Sequence, residues 1–145
     1  MTRRWAILLA GLFGGLGVGI GAYHAHGLEA MLERSVAVGE IEDRMRNVEI
    51  GVRYQLIHAV ALLAVGAIAE RRSSRYLAVA TILFAIGVTL FSGGLYLVVF
   101  AENLSHAAII PVGGALMIGG WVLVFVHGCR RRPASSEDRL AAGRS

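Results

Sequence analysis

Residues 76–101 read YLAVATILFAIGVTLFSGGLYLVVFA, twenty-six positions without one charged side chain. As a helix this stretch is about 39 Å long at 1.5 Å per residue. A hydrocarbon core of about 30 Å needs only about 20 apolar residues to cross it. The segment is therefore predicted to span a membrane with tilt, or to extend past it. Three further uncharged runs flank it, at 5–23, 54–69 and 107–126. The run at 54–69 is short, but Arg53 and Glu70 can lay their stems in lipid and keep their charges at the interfaces. Backbone groups inside a bilayer must be satisfied within the segment, so all four runs are read as helices. The links at 70–75 and 102–106 are too short for anything but antiparallel neighbours. The fold class expected is all-α: an integral membrane protein with four transmembrane helices in one antiparallel bundle. Its spans fall at about 5–26, 52–70, 76–101 and 106–128 within a single domain, 1–132.

Composition agrees. Of 145 residues 56% are hydrophobic, 19 are glycine and only 17% are charged. A disordered chain, a nucleic-acid-binding domain and an ordinary soluble enzyme fit these values poorly. The net charge of +4 comes from arginine alone, set in short blocks beside the apolar runs. Such blocks read as topology signals and phospholipid-headgroup contacts, not as a nucleic-acid surface. Ten arginines (3, 4, 71, 72, 75, 130, 131, 132, 139 and 144) fall on one side of the four spans. Four (34, 44, 46 and 53) fall on the other. The positive-inside bias then puts both termini in the cytoplasm, in an inner or plasma membrane. Arg3 and Arg4 before an apolar run resemble a signal peptide, but the run exceeds a typical h-region and no clear cleavage site follows, so no cleavage is expected. Cys129 stands alone, which excludes an internal disulfide. Residues 133–145 are polar and read as a disordered cytoplasmic tail.

The first loop, 28–53, is too long for a plain connection. Glu40–Arg44, Glu42–Arg46 and Glu49–Arg53 are acid-before-base pairs at i,i+4. Ile41, Met45, Val48 and Val52 recur at helical spacing. An extracytoplasmic amphipathic helix is expected from about residue 40, running straight into the second span. Its apolar stripe either caps the bundle or meets a partner, and capping is the reading preferred.

Glycine concentrates in the first span. Gly11, Gly15 and Gly19 form consecutive GxxxG steps, and Gly17–Gly21 adds another. Small residues let helix backbones approach closely in lipid. An intramolecular seam is the preferred reading, with a homo-oligomer or another membrane protein left open as partner.

Depth along each span places the polar side chains mostly at one level. His24 and His26 end the first span, Tyr54, Gln55 and His58 open the second, Ser92 and Tyr96 lie in the outer part of the third, and His106 and Pro111 open the fourth. Polar groups inside a bilayer tend to face one another. Pro111 lacks an N–H and would free the Ala107 carbonyl. An outer-leaflet hydrogen-bond cluster of His26, Tyr54, His58, Ser92 and Tyr96 is expected. Metal binding through His24, His26, His58 and His106, bis-histidine haem, a solute path and a structural network compete for it. No HExxH pattern exists, carboxylates are scarce and the inner half has few polar groups, so no metal or cofactor is assigned. A register-fixing network is preferred. No hydrolase triad, phosphate loop or paired catalytic carboxylates appear, and no enzymatic activity is expected.

Four of these segments, in order, resemble a known family. They are Gly21-Ala22-Tyr23-His24-Ala25-His26-Gly27-Leu28, Tyr54-Gln55-Leu56-Ile57-His58-Ala59, Leu90-Phe91-Ser92-Gly93-Gly94-Leu95-Tyr96, and Pro111-Val112-Gly113-Gly114 followed by Gly120-Trp121. Together they are similar to the YgdD-like family of small inner-membrane proteins, a family of unknown function. His24 and Gly94 depart from its usual glycine and serine. The resemblance implies a four-helix membrane protein and raises His26, Tyr54, Gln55, His58, Ser92, Tyr96 and Pro111 together. The function expected is a non-catalytic scaffold or accessory protein acting through helix or lipid contacts. The alternative is a small-ligand or metal-handling membrane protein using the outer histidines.

Overall fold

The computed structural model describes residues 2–100 and 108–130. The expected tail at 133–145, His106 and the link containing it lie outside the described residues. The described chain is helical: α1 (Thr2–Tyr23), a π-helical turn (His24–Leu28), α2 (Glu29–Leu32), α3 (Val38–Arg71), α4 (Arg75–Phe100) and α5 (Ile109–Cys129). Four segments are long and apolar enough to cross a membrane: Thr2–Leu32, Val38–Arg71, Arg75–Val99 and Ile109–Cys129. The first continues beyond residue 26, because the π turn carries α1 into α2 without a break.

The helices alternate in direction. At one end Arg3 of α1 pairs with Glu70 of α3 at 3.1 Å. There, too, the Arg72 guanidinium donates to the Arg130 carbonyl at 3.1 Å, joining α3 to α5. Ser74 caps α4, accepting from the Leu77 N–H at 3.4 Å, and shares a hydrogen bond with Nδ1 of buried His127 at 2.8 Å. This is the arginine-rich end. At the other, the loop end, α2 and the start of α3 close over the bundle. In between, α1 packs on α3, α3 on α4, and α4 on α5.

The length of α3 follows from its sequence. All three expected pairs form, Arg44–Glu40 at 2.8 Å, Arg46–Glu42 at 3.2 Å and Arg53–Glu49 at 2.5 Å. They hold the first four turns as helix outside the apolar run. The stripe Ile41, Met45, Val48 and Val52 packs with Leu28, Leu32 and Val99, so this segment caps the bundle. Ile118 and Phe125 are 67% and 72% exposed, and α1, α3 and α4 carry similar exposed apolar faces. An apolar surface this extensive suits lipid, not water.

The glycine faces separate in the structure. Gly17 and Gly21 meet α3: a methyl on Gly17 would fall 2.8 Å from Leu56, and one on Gly21 3.3 Å from Val52. Gly11, Gly15 and Gly19 face open space, so the expected intramolecular seam at these three is corrected. Ala6, Ala10, Gly17 and Gly21 share the face turned to α3, and the GxxxG face lies about 150° further round the helix. The closest backbone approach is elsewhere, between α4 and α5. A Cβ on Gly113 would stand 2.5 Å from the Phe91 nitrogen, and one on Gly87 2.9 Å from the Gly113 carbonyl.

Candidate functional site

α3 carries two buried polar side chains in its membrane half, Gln55 and His58, each 4% exposed. Each reaches across to other helices. The Gln55 amide donates from Nε2 to the Phe13 carbonyl of α1 at 2.8 Å. Its Oε1 accepts the Tyr96 hydroxyl of α4 at 2.9 Å. Tyr96 can lie there because Gly51 has no side chain; a Cβ on Gly51 would stand 2.6 Å from the Tyr96 ring. One amide thus ties three helices, and both its ends are occupied.

His58 is equally committed. Nδ1 lies 2.8 Å from the Tyr54 carbonyl one turn back. A carbonyl only accepts, so Nδ1 carries the proton. Nε2 then presents a lone pair, and the indole N–H of Trp121 in α5 donates to it at 3.2 Å. The indole is a donor only, so the tautomer is consistent at both nitrogens. Phe84 completes the packing, edge-on to both His58 and Trp121 with centroids 5.3 Å from each. Gly120 admits that ring, since a Cβ there would be 2.6 Å from Phe84. Phe84 lies nine residues from Arg75 and Trp121 nine from Arg130, about 14 Å along each helix. On α3 itself His58 lies five residues from Arg53 and twelve from Glu70, about 18 Å from the arginine-rich end.

The other expected members are distributed differently. Tyr54 is half-exposed and leans on Phe91, ring centroids 4.9 Å apart. Ser92 is fully buried, and its hydroxyl has no hydrogen-bond partner among the described residues. His26 is exposed, which corrects its expected place in the cluster. The inward histidine is His24, whose Nε2–H donates to the Met45 carbonyl of α3 at 3.1 Å. Two residues apart on a helix are nearly opposite, so turning His24 inward turns His26 out. The π turn sets which of them faces α3. Pro111 is also corrected. α5 begins at Ile109, so Pro111 lies in its first turn, where an N–H has no intrahelical acceptor to lose. It is exposed and outside the network.

Two participants lie outside the cluster expected from the sequence: Trp121, which enters there only through the family motif, and Ser74. Gly120 beside Trp121 was the available signal for the first. For the second it was a serine one residue before an apolar helix.

Among the described residues no group of three or more His, Cys, Asp or Glu side chains is arranged to hold a metal ion. The arrangement defines a small multi-span helical membrane protein whose central helix is tied to its neighbours by side-chain hydrogen bonds. The chain belongs to the family described as "Protein of unknown function (DUF423)", which matches residues 20–114. It is similar to the "UPF0382 inner membrane protein YgdD" of Escherichia coli K12, at 32% identity over 130 residues, 90% of this chain and 93% of the relative. A UPF0382 membrane protein of Staphylococcus haemolyticus is 35% identical over 121 residues, 83% of this chain and 91% of the relative. One of Haemophilus influenzae is 33% identical over 122 residues, covering 84% and 90%. No solved structure matches.

Proposed function

We propose that this chain is a non-catalytic accessory protein of the inner membrane, acting through its helix and lipid surfaces, with both termini in the cytoplasm. The observation that carries the reading is the state of the buried polar groups. Both nitrogens of His58 and both ends of the Gln55 amide are engaged in bonds between helices or within α3. A metal, a haem iron or a transferred proton would need the Nε2 lone pair that Trp121 already holds. Bonds of this kind act as glue in a bundle, where lipid gives apolar contact no advantage over packing. The orientation is supported by the ten arginines counted on the side of the termini against four on the other.

Metal analysis and visible absorption of the detergent-purified protein test the reading. No stoichiometric metal and no haem band are expected; either one, lost on His58→Ala, would overturn it. A reporter fused to the carboxyl terminus is expected to read cytoplasmic, and periplasmic activity there would overturn the orientation.

A further inference from the structure

α1 and α4 both flank α3 but barely touch each other, and a groove runs between them. Near the arginine-rich end it has a volume of about 450 Å³, lined by Thr2, Trp5 and Leu9 of α1 and by Ala78, Ile82 and Ala85 of α4. It continues through a second compartment of about 320 Å³ that shares Leu9 and Ala85 and reaches Phe13 and Leu90. From Thr2 to Phe13 is eleven helical steps, about 16 Å. That is one leaflet of a core of about 30 Å. The lining is almost wholly apolar, and the hydroxyls of Thr81 and Thr89 are spent on the carbonyls of Leu77 and Ala85.

The mouth of the groove is cationic. Arg75 lies three residues before Ala78 and seven before Ile82, so it stands on the groove face of α4 at the membrane edge. Its guanidinium lies 5.5 Å from the Tyr76 ring centroid, and it pairs with no carboxylate among the described residues. At the same end of the bundle lie Arg3, Arg4, Arg71 and Arg130. The only described carboxylate at this end, Glu70, is already paired with Arg3. Among the described residues cations outnumber carboxylates at this edge, which suits an anion.

We propose that the α1–α4 groove seats one acyl chain of an anionic phospholipid, with Arg75 at its mouth meeting the headgroup phosphate. A helix from a second copy would run the full thickness of the membrane, whereas these two compartments reach from Thr2 to Phe13 along α1, about one leaflet's depth. The inference rests on the reading of the protein as acting through lipid contacts and names the lipid class and the place.

The test is native mass spectrometry of the full chain extracted from bilayers of equimolar phosphatidylglycerol and phosphatidylcholine. One retained lipid is expected, enriched several-fold in phosphatidylglycerol. Arg75→Gln should lower the enrichment several-fold while retention persists. Ala85→Phe, which fills the groove, should abolish retention of both lipids. Val60→Phe, on an exposed face of α3, should leave both unchanged. Equal retention of the two lipids by the unmodified chain would overturn the proposal. So would retention unaffected by Ala85→Phe, or an Ala85→Phe protein that loses a dimer mass instead of a lipid. None of these outcomes alters the metal and absorption result, so this inference can fail while the accessory reading stands.

Discussion

The indole N–H of Trp121 donates to Nε2 of His58 at 3.2 Å, across sixty-three residues of sequence and between α5 and α3. With the Tyr54 carbonyl on the other nitrogen, this bond fixes the imidazole as the neutral Nδ1–H form. If its role is structural, its two partners should be coupled in stability and in nothing else. Trp121→Phe keeps most of the packing against Phe84 and removes the donor. His58→Ala combined with it should cost less than the two single changes summed, by about 1 kcal/mol. Thermal or denaturant unfolding in detergent reads this directly, and additive single changes would dissolve the pair.

Tyr96 and Gly51 make a second such pair. Tyr96→Phe deletes the hydroxyl bonded to Gln55 and should cost about 0.5–1.5 kcal/mol. Gly51→Ala should cost at least as much, because its Cβ would stand 2.6 Å from the Tyr96 ring and displace it. In the Tyr96→Phe background the penalty of Gly51→Ala should persist, since the ring remains; in Tyr96→Ala it should largely vanish. Unfolding midpoints of the three single and two double variants check the order.

Glycines that look alike in sequence should separate sharply. Gly113→Ala sets a methyl 2.5 Å from the Phe91 backbone nitrogen, and backbone cannot rotate away. Over-packing of this kind costs about 1–3 kcal/mol. Gly15→Ala meets open space and should fall within about 0.5 kcal/mol of the unmodified protein. A Gly15→Ala loss as large as that of Gly113→Ala, together with a fall in oligomer mass, would make the GxxxG face an interface between copies.

Ser92 gives a prediction of opposite sign. Its hydroxyl is buried and has no partner among the described residues, and an unsatisfied hydroxyl is a cost. Ser92→Ala should leave stability unchanged or raise it by up to about 1 kcal/mol. A clear loss on unfolding would mean that the hydroxyl has a partner and a role.

Much of this architecture was legible from residues alone. The uncharged runs gave four helices, and the three acid-before-base pairs gave a single helix over Val38–Arg71. His58 and Tyr96 stood out because polar groups at depth need partners, and Gln55 through the family resemblance. What could not be read were facts that depend on how helices are rotated against one another. His24 and His26 differ only in which face α1 turns to α3, and a π turn sets that. Gly11 and Gly17 have the same chemistry on faces about 100° or more apart, and only one face meets a neighbour. Trp121 reaches His58 only because Gly120 and Gly113 draw α5 close to α4. Pro111 looked disruptive until the start of α5 at Ile109 placed it in a first turn.

The central claim is that His58 is consumed by structure. Solid-state ¹⁵N NMR of histidine-labelled protein in lipid bilayers, with the His58 signals assigned by comparison with His58→Gln, tests it most directly. The expected result is one neutral species protonated at Nδ1, with Nε2 accepting a hydrogen bond and unmoved by added Zn²⁺. An Nε2–H tautomer, a mixture of the two forms, or a shift of Nε2 on adding Zn²⁺ would contradict the account.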